Sequence, residues 1–85
     1  MTALDEKLLR EIRAIVTDCA SATPPDDLGD DDDIIELGIV DSLSLMEMVA
    51  AVNARLGIWV DDSELVARNF GSIRSIHALL AGKGR

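Results

Sequence analysis

Apolar residues recur at helical spacing along most of this chain, and no segment long enough to judge shows the alternation of a β-strand. In the first segment they fall on one face, at Leu4, Leu8, Ile12, Ile15 and Cys19. Charged side chains take the other faces, so residues from about Ala3 to Ala20 are predicted to form an amphipathic helix. Thr2 is placed to cap its first turn.

A second helix is predicted from Ser42 to Leu56, and Gly57 follows as a helix stop. Its inward face consists of five apolar residues at helical spacing: Leu45, Met48, Val49, Val52 and Leu56. Asp61 and Glu64 then match a capping box that starts a short third helix through Val66. Ser72 is predicted to cap a fourth helix with one face made of Ile73, Ile76, His77 and Leu80.

Four helices, three long and one short, in 85 residues predict one all-α domain, a four-helix bundle. The domain is assigned to residues 1–81, and residues 82–85 are expected to form a flexible tail. The core should be aliphatic, because Trp59 and Phe70 are the only aromatic residues. We expect His77 to be half-buried and Cys19 to be a small core residue. Trp59 is expected to pack against the bundle; the alternative is that Ile58 and Val60 point inward and leave it partly exposed as a partner contact.

A long acidic connection, residues 21–40, separates the first two long helices. Pro24 and Pro25 prevent the first helix from continuing. The aspartates, which include the run Asp30 to Asp33, are expected to be solvated and to repel one another. Apolar side chains should then tie the connection to the core, at Ile34, Ile35, Leu37 and Val40. A calcium loop starting at Asp30 would need glycine and oxygen ligands where Ile34 and Ile35 stand, so no metal site is predicted.

Composition excludes several classes of function. Sixteen acidic and eight basic side chains give a formal charge of −8, which argues against binding to nucleic acid or to an anionic membrane. The charge favours protein partners with basic surfaces. One cysteine excludes a disulfide framework, and the charged N-terminus does not match a signal peptide. No apolar run could span a bilayer, so a soluble, monomeric, cytoplasmic protein is expected.

The connection ends at Asp41-Ser42-Leu43, where the second helix begins. A serine at a helix N-terminus lies beside unsatisfied N–H groups and the positive end of the helix dipole, which favours a negatively charged substituent, above all a phosphate. Asp41 can cap the helix, and Gly38 permits the preceding tight turn. An ordinary capped helix start without any modification is the structural alternative.

These residues resemble the carrier-protein family of acyl, aminoacyl and peptidyl carriers. The resemblance extends from Leu4 to about Leu80 and also includes the later stretch Asn-Phe-Gly-Ser-Ile, which begins at Asn69. It implies an acyl-carrier-protein-like bundle in which Ser42 bears 4′-phosphopantetheine, attached by a phosphopantetheinyl transferase from coenzyme A with Mg²⁺. The thiol of that arm would hold cargo as a thioester, and Asp41 would contact the transferase as well as cap the helix.

The same resemblance makes Leu43 a partner contact beside the arm. The predicted docking surface lies on the outward face of the second helix and at the start of the third, and comprises Leu43, Met46, Glu47, Ala50, Ala51, Asp61 and Asp62. Fatty-acid-synthesis carriers have an acidic second helix, whereas only Glu47 is charged on the helical part of this surface, so partner contacts should be more apolar than in that subfamily. The alternative for the alanines is that they are simply good helix formers.

The chain is predicted to be a carrier and not an enzyme. His77 is the only histidine, and Ser42 lies in no Gly-x-Ser-x-Gly motif, so a serine hydrolase is disfavoured. The expected role is to present an acyl or aminoacyl group to ligases, transferases and synthases of specialised, polyketide-like or nonribosomal-peptide-like metabolism. Two residues separate Gly38 from Asp41, where fatty-acid carriers have one. A fatty-acid-synthesis carrier and an unmodified interaction module remain the alternatives.

Overall fold

The computed structural model describes residues 6–83, which form four α-helices and one 3₁₀ turn. The helices are α1 (Glu6–Cys19), α2 (Ser42–Leu56), α3 (Ala67–Phe70) and α4 (Ile73–Lys83), and the 3₁₀ turn spans Asp62–Glu64. Helix α1 packs against α2 and α4, and α3 packs against α4. The predicted all-α bundle of three long helices and one short helix is confirmed. Thr2 and Leu4 lie outside the described residues.

The core lies between α1, α2 and α4 and is aliphatic apart from the fully buried Phe70. Its helical part consists of Ile12, Ile15, Val16, Met48, Val52, Ile73, Ile76 and Leu80. Side chains at the margin of the predicted faces, such as Leu8, Cys19 and Leu45, are only partly buried. No helix within residues 6–83 is both long and apolar enough to cross a membrane.

The predicted burial of His77 and of Trp59 is wrong. His77 is 2% exposed and not half-buried, because it lies on the same face of α4 as Ile73, one turn earlier, and Leu80. Trp59 does not pack on the bundle: its side chain is 66% exposed, and its indole Nε1 donates to Asp61 Oδ1 at 2.8 Å. The neighbouring Val60 is buried instead, and adjacent side chains of an extended segment point to opposite sides.

The predicted third helix, which was to start after Asp61 and run through Val66, forms only a 3₁₀ turn, and α3 lies beyond its predicted end. Glu64 accepts the N–H of Asp61 at 2.9 Å, as the capping-box interpretation required, but only the 3₁₀ turn follows. Val66 is extended, with φ −126° and ψ 157°, and α3 begins after it. The Asn69 side chain donates to the Glu64 carbonyl at 2.9 Å and thereby satisfies a group that a continuous helix would have used.

The acidic run Asp30 to Asp33 is not merely solvated, contrary to prediction. Asp30 forms an ion pair with Arg13 of α1, whose guanidinium also donates to the Leu28 carbonyl at 2.9 Å. Asp31 forms an ion pair with Arg74 of α4. Neighbouring carboxylates therefore attach the connection to two different helices, and their mutual repulsion is offset by these cations.

The other two aspartates of the run accept backbone hydrogen bonds within the connection. Asp32 accepts the N–H of Gly29 at 2.8 Å. Asp33 accepts those of Ile35 and Glu36 at 3.1 and 2.9 Å. Such short-range bonds from nearby N–H groups to an aspartate stabilise turns, so this acidic sequence specifies a defined path for the backbone.

The predicted apolar anchors divide into buried and exposed side chains. Ile34 and Val40 are buried as expected, Ile35 is partly buried, and Ile39 is also buried, at 2% exposed. Leu37 was expected to anchor the connection, but it is 57% exposed. Its turn, in which the Leu37 N–H donates to the Asp33 carbonyl, directs the side chain away from the core.

The flexible tail was predicted for residues 82–85, but α4 extends to Lys83 and so includes Gly82 and Lys83. Lys83 Nζ lies 2.9 and 3.0 Å from the two carboxylate oxygens of Glu64, and both side chains are 25% exposed. The hydrogen bond from Lys83 is the main reason that the pKa of Glu64 is lowered. This ion pair holds the last turn of α4 against the 3₁₀ turn. Gly84 and Arg85 lie outside the described residues.

Gly71, between α3 and α4, is predicted to be intolerant of a side chain. A Cβ there would lie 2.6 Å from the Ala67 carbonyl oxygen, so Gly71→Ala should lower the free energy of unfolding by about 1–3 kcal/mol. Gly82→Ala is the matched control, since its Cβ meets nothing within 4 Å, and it should be neutral or stabilising by about 0.5–1 kcal/mol. Urea denaturation followed by circular dichroism measures both, and equal stabilities would contradict the predicted clash.

Candidate functional site

The backbone that leads into α2 is fixed by a compact turn. The Ile34 carbonyl accepts N–H groups from both Ile39 and Val40, at 3.0 and 3.2 Å. Gly38 adopts φ 77°, a left-handed conformation that residues with a side chain rarely take, as the predicted turn required. Ile39 and Val40 are each 2% exposed, so two buried side chains immediately before Asp41 hold the start of α2 on the core.

Asp41 caps α2, as predicted. Its backbone is extended, with φ −128° and ψ −168°, and its Oδ1 accepts the Ser44 N–H at 2.9 Å. The Ser44 hydroxyl donates to the same oxygen at 3.0 Å. The Ser44 N–H and then the Ser44 hydroxyl lower the pKa of Asp41, because both stabilise the ionised carboxylate.

Ser42 is the first residue of α2 and its side chain is exposed. Its hydroxyl makes no hydrogen bond with any residue in the described range. The adjacent helix terminus supplies a positive partial charge, so an anionic substituent on this oxygen would be favoured. His77 is buried in α4, and no base within residues 6–83 hydrogen-bonds to Ser42, so the site lacks the geometry of a serine nucleophile–base pair.

The outward face of α2 carries exposed apolar side chains. Leu43 and Met46 are 68% and 64% exposed, and Glu47 and Ala50 are exposed beside them. Ala51 differs from these residues because it is half-buried and packs at the margin of the core.

Asp61 and Asp62 are exposed at the 3₁₀ turn, although Asp61 also accepts from the Trp59 indole. Sequence reasoning missed the exposure of Leu37 and did not identify Ser44 as a partner of Asp41. A hydroxyl residue three positions after an N-cap, as Ser44 is after Asp41, could have indicated the contact.

The remaining reactive groups do not add a second chemistry. Cys19 is half-buried; burial and, next, the charge of Glu47 raise the pKa of its thiol, so it stays protonated and weakly nucleophilic at neutral pH. Within residues 6–83 no three or more histidine, cysteine or carboxylate side chains are grouped so that they could hold a metal ion.

A family model indicates the kind of site, and a solved structure has a similar fold. The family model described as "Phosphopantetheine attachment site" matches residues 9–80. A solved structure described as "Crystal structure of FAD-dependent dehydrogenase" contains a similar chain, with a TM-score of 0.70 and 25% sequence identity. The match covers 81% of this chain and 97% of that one. None of the curated proteins matches.

The Asp41 cap should make stability depend on pH in a specific direction. Since the pKa of Asp41 is lowered in the folded state, the cap contributes fully above the ordinary aspartate pKa and is lost as pH falls through the native pKa. Asp41→Ala should therefore lower the melting temperature at neutral pH, and its difference from wild type should shrink in acid. Thermal melts across this pH range measure both effects.

Asp26→Ala is the control, because Asp26 is an exposed aspartate without a hydrogen bond in the described structure. It should change the melting temperature little at any pH. A carboxyl resonance of Asp41 that titrates at or above the ordinary aspartate pKa would contradict the proposed linkage.

Proposed function

Because this chain belongs to the phosphopantetheine-attachment family, whose members are carrier domains that bind 4′-phosphopantetheine covalently, we propose that Ser42 bears this arm. The observation that carries the proposal is the exposed, unbonded hydroxyl of Ser42 at the first position of α2. The arm ends in a thiol, which holds an acyl or aminoacyl group as a thioester and presents it to partner enzymes.

The site suits a phosphodiester physically. A phosphate on Ser42 Oγ would lie at the positive end of the α2 dipole and next to N–H groups of the first turn. The attachment point is held in place, because the Asp41 cap and the buried Ile39 and Val40 fix the start of α2. A long flexible arm on a fixed attachment point raises the effective concentration of the cargo near a docked enzyme.

Other serines fit the role less well. Ser44 is buried, Ser72 and Ser75 hydrogen-bond to one another, and Ser21 donates to the Ile39 carbonyl. Ser63 is exposed, like Ser42, and its hydroxyl also makes no hydrogen bond in the described structure. It lies in a three-residue 3₁₀ turn, which lacks the dipole of a long helix.

Intact-mass spectrometry after incubation with coenzyme A, Mg²⁺ and a broad-specificity phosphopantetheinyl transferase tests the attachment site. Wild type should gain one phosphopantetheinyl group, and Ser42→Ala should gain none while it keeps its helical circular dichroism. The fold should survive because Asp41 still caps α2 and alanine is a good helix former.

Ser63→Ala is the matched control and should be modified like wild type. Modification of Ser42→Ala would move the attachment site to another residue. An unmodified wild type, with a transferase active on a second carrier, would favour an unmodified interaction module.

We further propose that partners dock on the exposed face of α2 and on the nearby acidic turn: Leu43, Met46, Glu47, Ala50, Asp61 and Asp62. Two large exposed apolar side chains next to the attachment residue support this surface. Glu47 is its only helical charge, so a basic partner residue opposite it would set the orientation of docking. Ala51, half-buried, would contribute little contact area.

The proposed pathway is specialised metabolism rather than fatty-acid synthesis. The spacing of two residues between Gly38 and Asp41 supports this pathway. Both residues, Ile39 and Val40, are buried, so the longer spacing is part of the core packing at this turn. We also propose an FAD-dependent dehydrogenase as one candidate partner. The similar chain, of which the match covers 97%, belongs to a solved structure described as such an enzyme. A dehydrogenase of this kind would oxidise the cargo while the thioester holds it and would transfer the electrons to its flavin.

Glu47→Lys should slow handover of cargo between a partner enzyme and the carrier with little change in melting temperature, because the side chain is exposed and its charge is reversed. The handover to measure is the loading of cargo by the cognate ligase, whose rate we expect to decrease about three- to tenfold. Asp26→Lys is the charge-matched control and should load like wild type. An unaltered rate for Glu47→Lys would remove α2 from the docking surface.

Flavin reduction by loaded but not unloaded carrier would identify the dehydrogenase as a partner.

A further inference from the structure

Ser44 makes a contact that capping alone does not require. Its side chain is 2% exposed, and it is one of two buried polar residues in the described structure, with His77. A capping aspartate needs only the backbone N–H of a first-turn residue. Here Asp41 Oδ1 receives two donors from the same residue, the Ser44 N–H at 2.9 Å and the Ser44 hydroxyl at 3.0 Å.

The two donors make the oxygens of the Asp41 carboxylate unequal. Oδ1 receives both Ser44 donors, whereas Oδ2 accepts no hydrogen bond from the side chain of any described residue; the backbone N–H groups of Leu43 and of Asp41 itself contribute more weakly to the lowered pKa of the carboxyl. Asp41 is exposed, as is Ser42 beside it. A carboxylate oxygen without a side-chain partner and an unbonded hydroxyl therefore belong to adjacent exposed residues at one helix terminus, where another protein can reach both.

Ser42 and Ser44 are alternative partners for the same carboxylate. Without the Ser44 hydroxyl, rotation of the Asp41 side chain would allow its oxygen to accept from the neighbouring Ser42 hydroxyl, a local contact that aspartate readily makes. That contact would occupy the group that must react. A buried hydroxyl fixed by its helix is a better competitor than a mobile exposed one, because less conformational entropy is lost.

We propose that Ser44 is a positioning residue for arm attachment: its hydroxyl holds Asp41 Oδ1, which keeps the Ser42 hydroxyl free and presents Oδ2 to the transferase. Oδ2 would face a basic group or a metal-bound water of that enzyme. This inference rests on the proposed function, in which Ser42 is the attachment residue.

The reaction that Ser44 would assist is a phosphoryl transfer. Ser42 Oγ forms a bond to the phosphorus next to pantetheine in coenzyme A, and the bond from this phosphorus to the bridging oxygen breaks. Adenosine 3′,5′-bisphosphate leaves with that oxygen, and the serine proton passes to a base of the transferase. Asp41 neither bonds to phosphorus nor takes the proton in this scheme, and Ser44 acts only through Asp41.

The first test measures attachment kinetics of Ser44→Ala with coenzyme A, Mg²⁺ and the transferase. We expect kcat/KM for the carrier to fall about three- to tenfold, and the carboxyl resonance of Asp41 to titrate at a higher pH than in wild type. Ser44→Thr keeps the hydroxyl and should restore the rate. Ser44→Cys, similar in size but a weak donor, should behave like Ser44→Ala and replaces it where the alanine variant does not fold.

A double-mutant cycle separates positioning from a structural role. In the Asp41→Ala background, Ser44→Ala should have no further effect on kcat/KM, because the residue through which it acts is gone. An equal loss in both backgrounds would overturn the proposal. So would a wild-type rate for a folded Ser44→Ala.

Ser75→Ala is the matched control, since the Ser75 hydroxyl makes the corresponding contact with Ser72 at the start of α4, at 2.9 Å. It should lower the melting temperature without slowing attachment. A Ser75→Ala variant slowed as much as Ser44→Ala would assign the effect to general destabilisation and would overturn the proposal. Failure of the proposed function is recognised separately, because wild type itself would then stay unmodified or Ser42→Ala would be modified.

Discussion

The backbone of Ile34 joins the three parts of the molecule that meet at the start of α2. Its N–H donates to the Gly71 carbonyl between α3 and α4 at 2.8 Å, and its own carbonyl accepts from Ile39 and Val40. Its side chain is fully buried in the core. Ile34 therefore links the start of α2 to the α3–α4 junction, and the contacts of Asp30 and Asp31 with Arg74 of α4 support the same placement of the connection. A shift of Ile34 would change both the path into α2 and the packing of the α3–α4 junction.

Sequence reasoning succeeded where the signals are local. Helix α2 begins at Ser42 and ends at Leu56 as predicted, because Asp41 caps its first turn and Gly57, with φ 69°, ends it through a bond to Asn53. The family was also identified from the residues around Ser42, and the match to residues 9–80 confirms it. These features need only neighbours within a few residues, so the sequence contains the information to predict them.

The wrong predictions concern residues whose environment depends on distant contacts. Asp30 and Asp31 looked like a repelling pair until Arg13 and Arg74, far away in sequence, were seen beside them. The third helix was predicted to run through Val66, but the Asn69 side chain, from beyond that segment, satisfies the Glu64 carbonyl, and the helix is replaced by a 3₁₀ turn. At the site, Ser44 was overlooked because a polar residue within a helix is usually exposed, and only packing against the core reveals its burial.

The distribution of charge separates long-range attraction from local docking. The net charge of −8 attracts basic partners over the whole surface, but salt screens this attraction beyond about 8 Å. Close to Ser42 the docking surface that we propose is mostly apolar, and Glu47 is its only charge on α2. Several other acids are engaged within the fold, as in the pairs of Asp18 with Arg55 and Glu64 with Lys83. If partners dock on the proposed surface, charge would set how often they meet this carrier, whereas the small apolar face would set how long they stay bound. A short dwell time suits a protein that must release one enzyme before it meets the next.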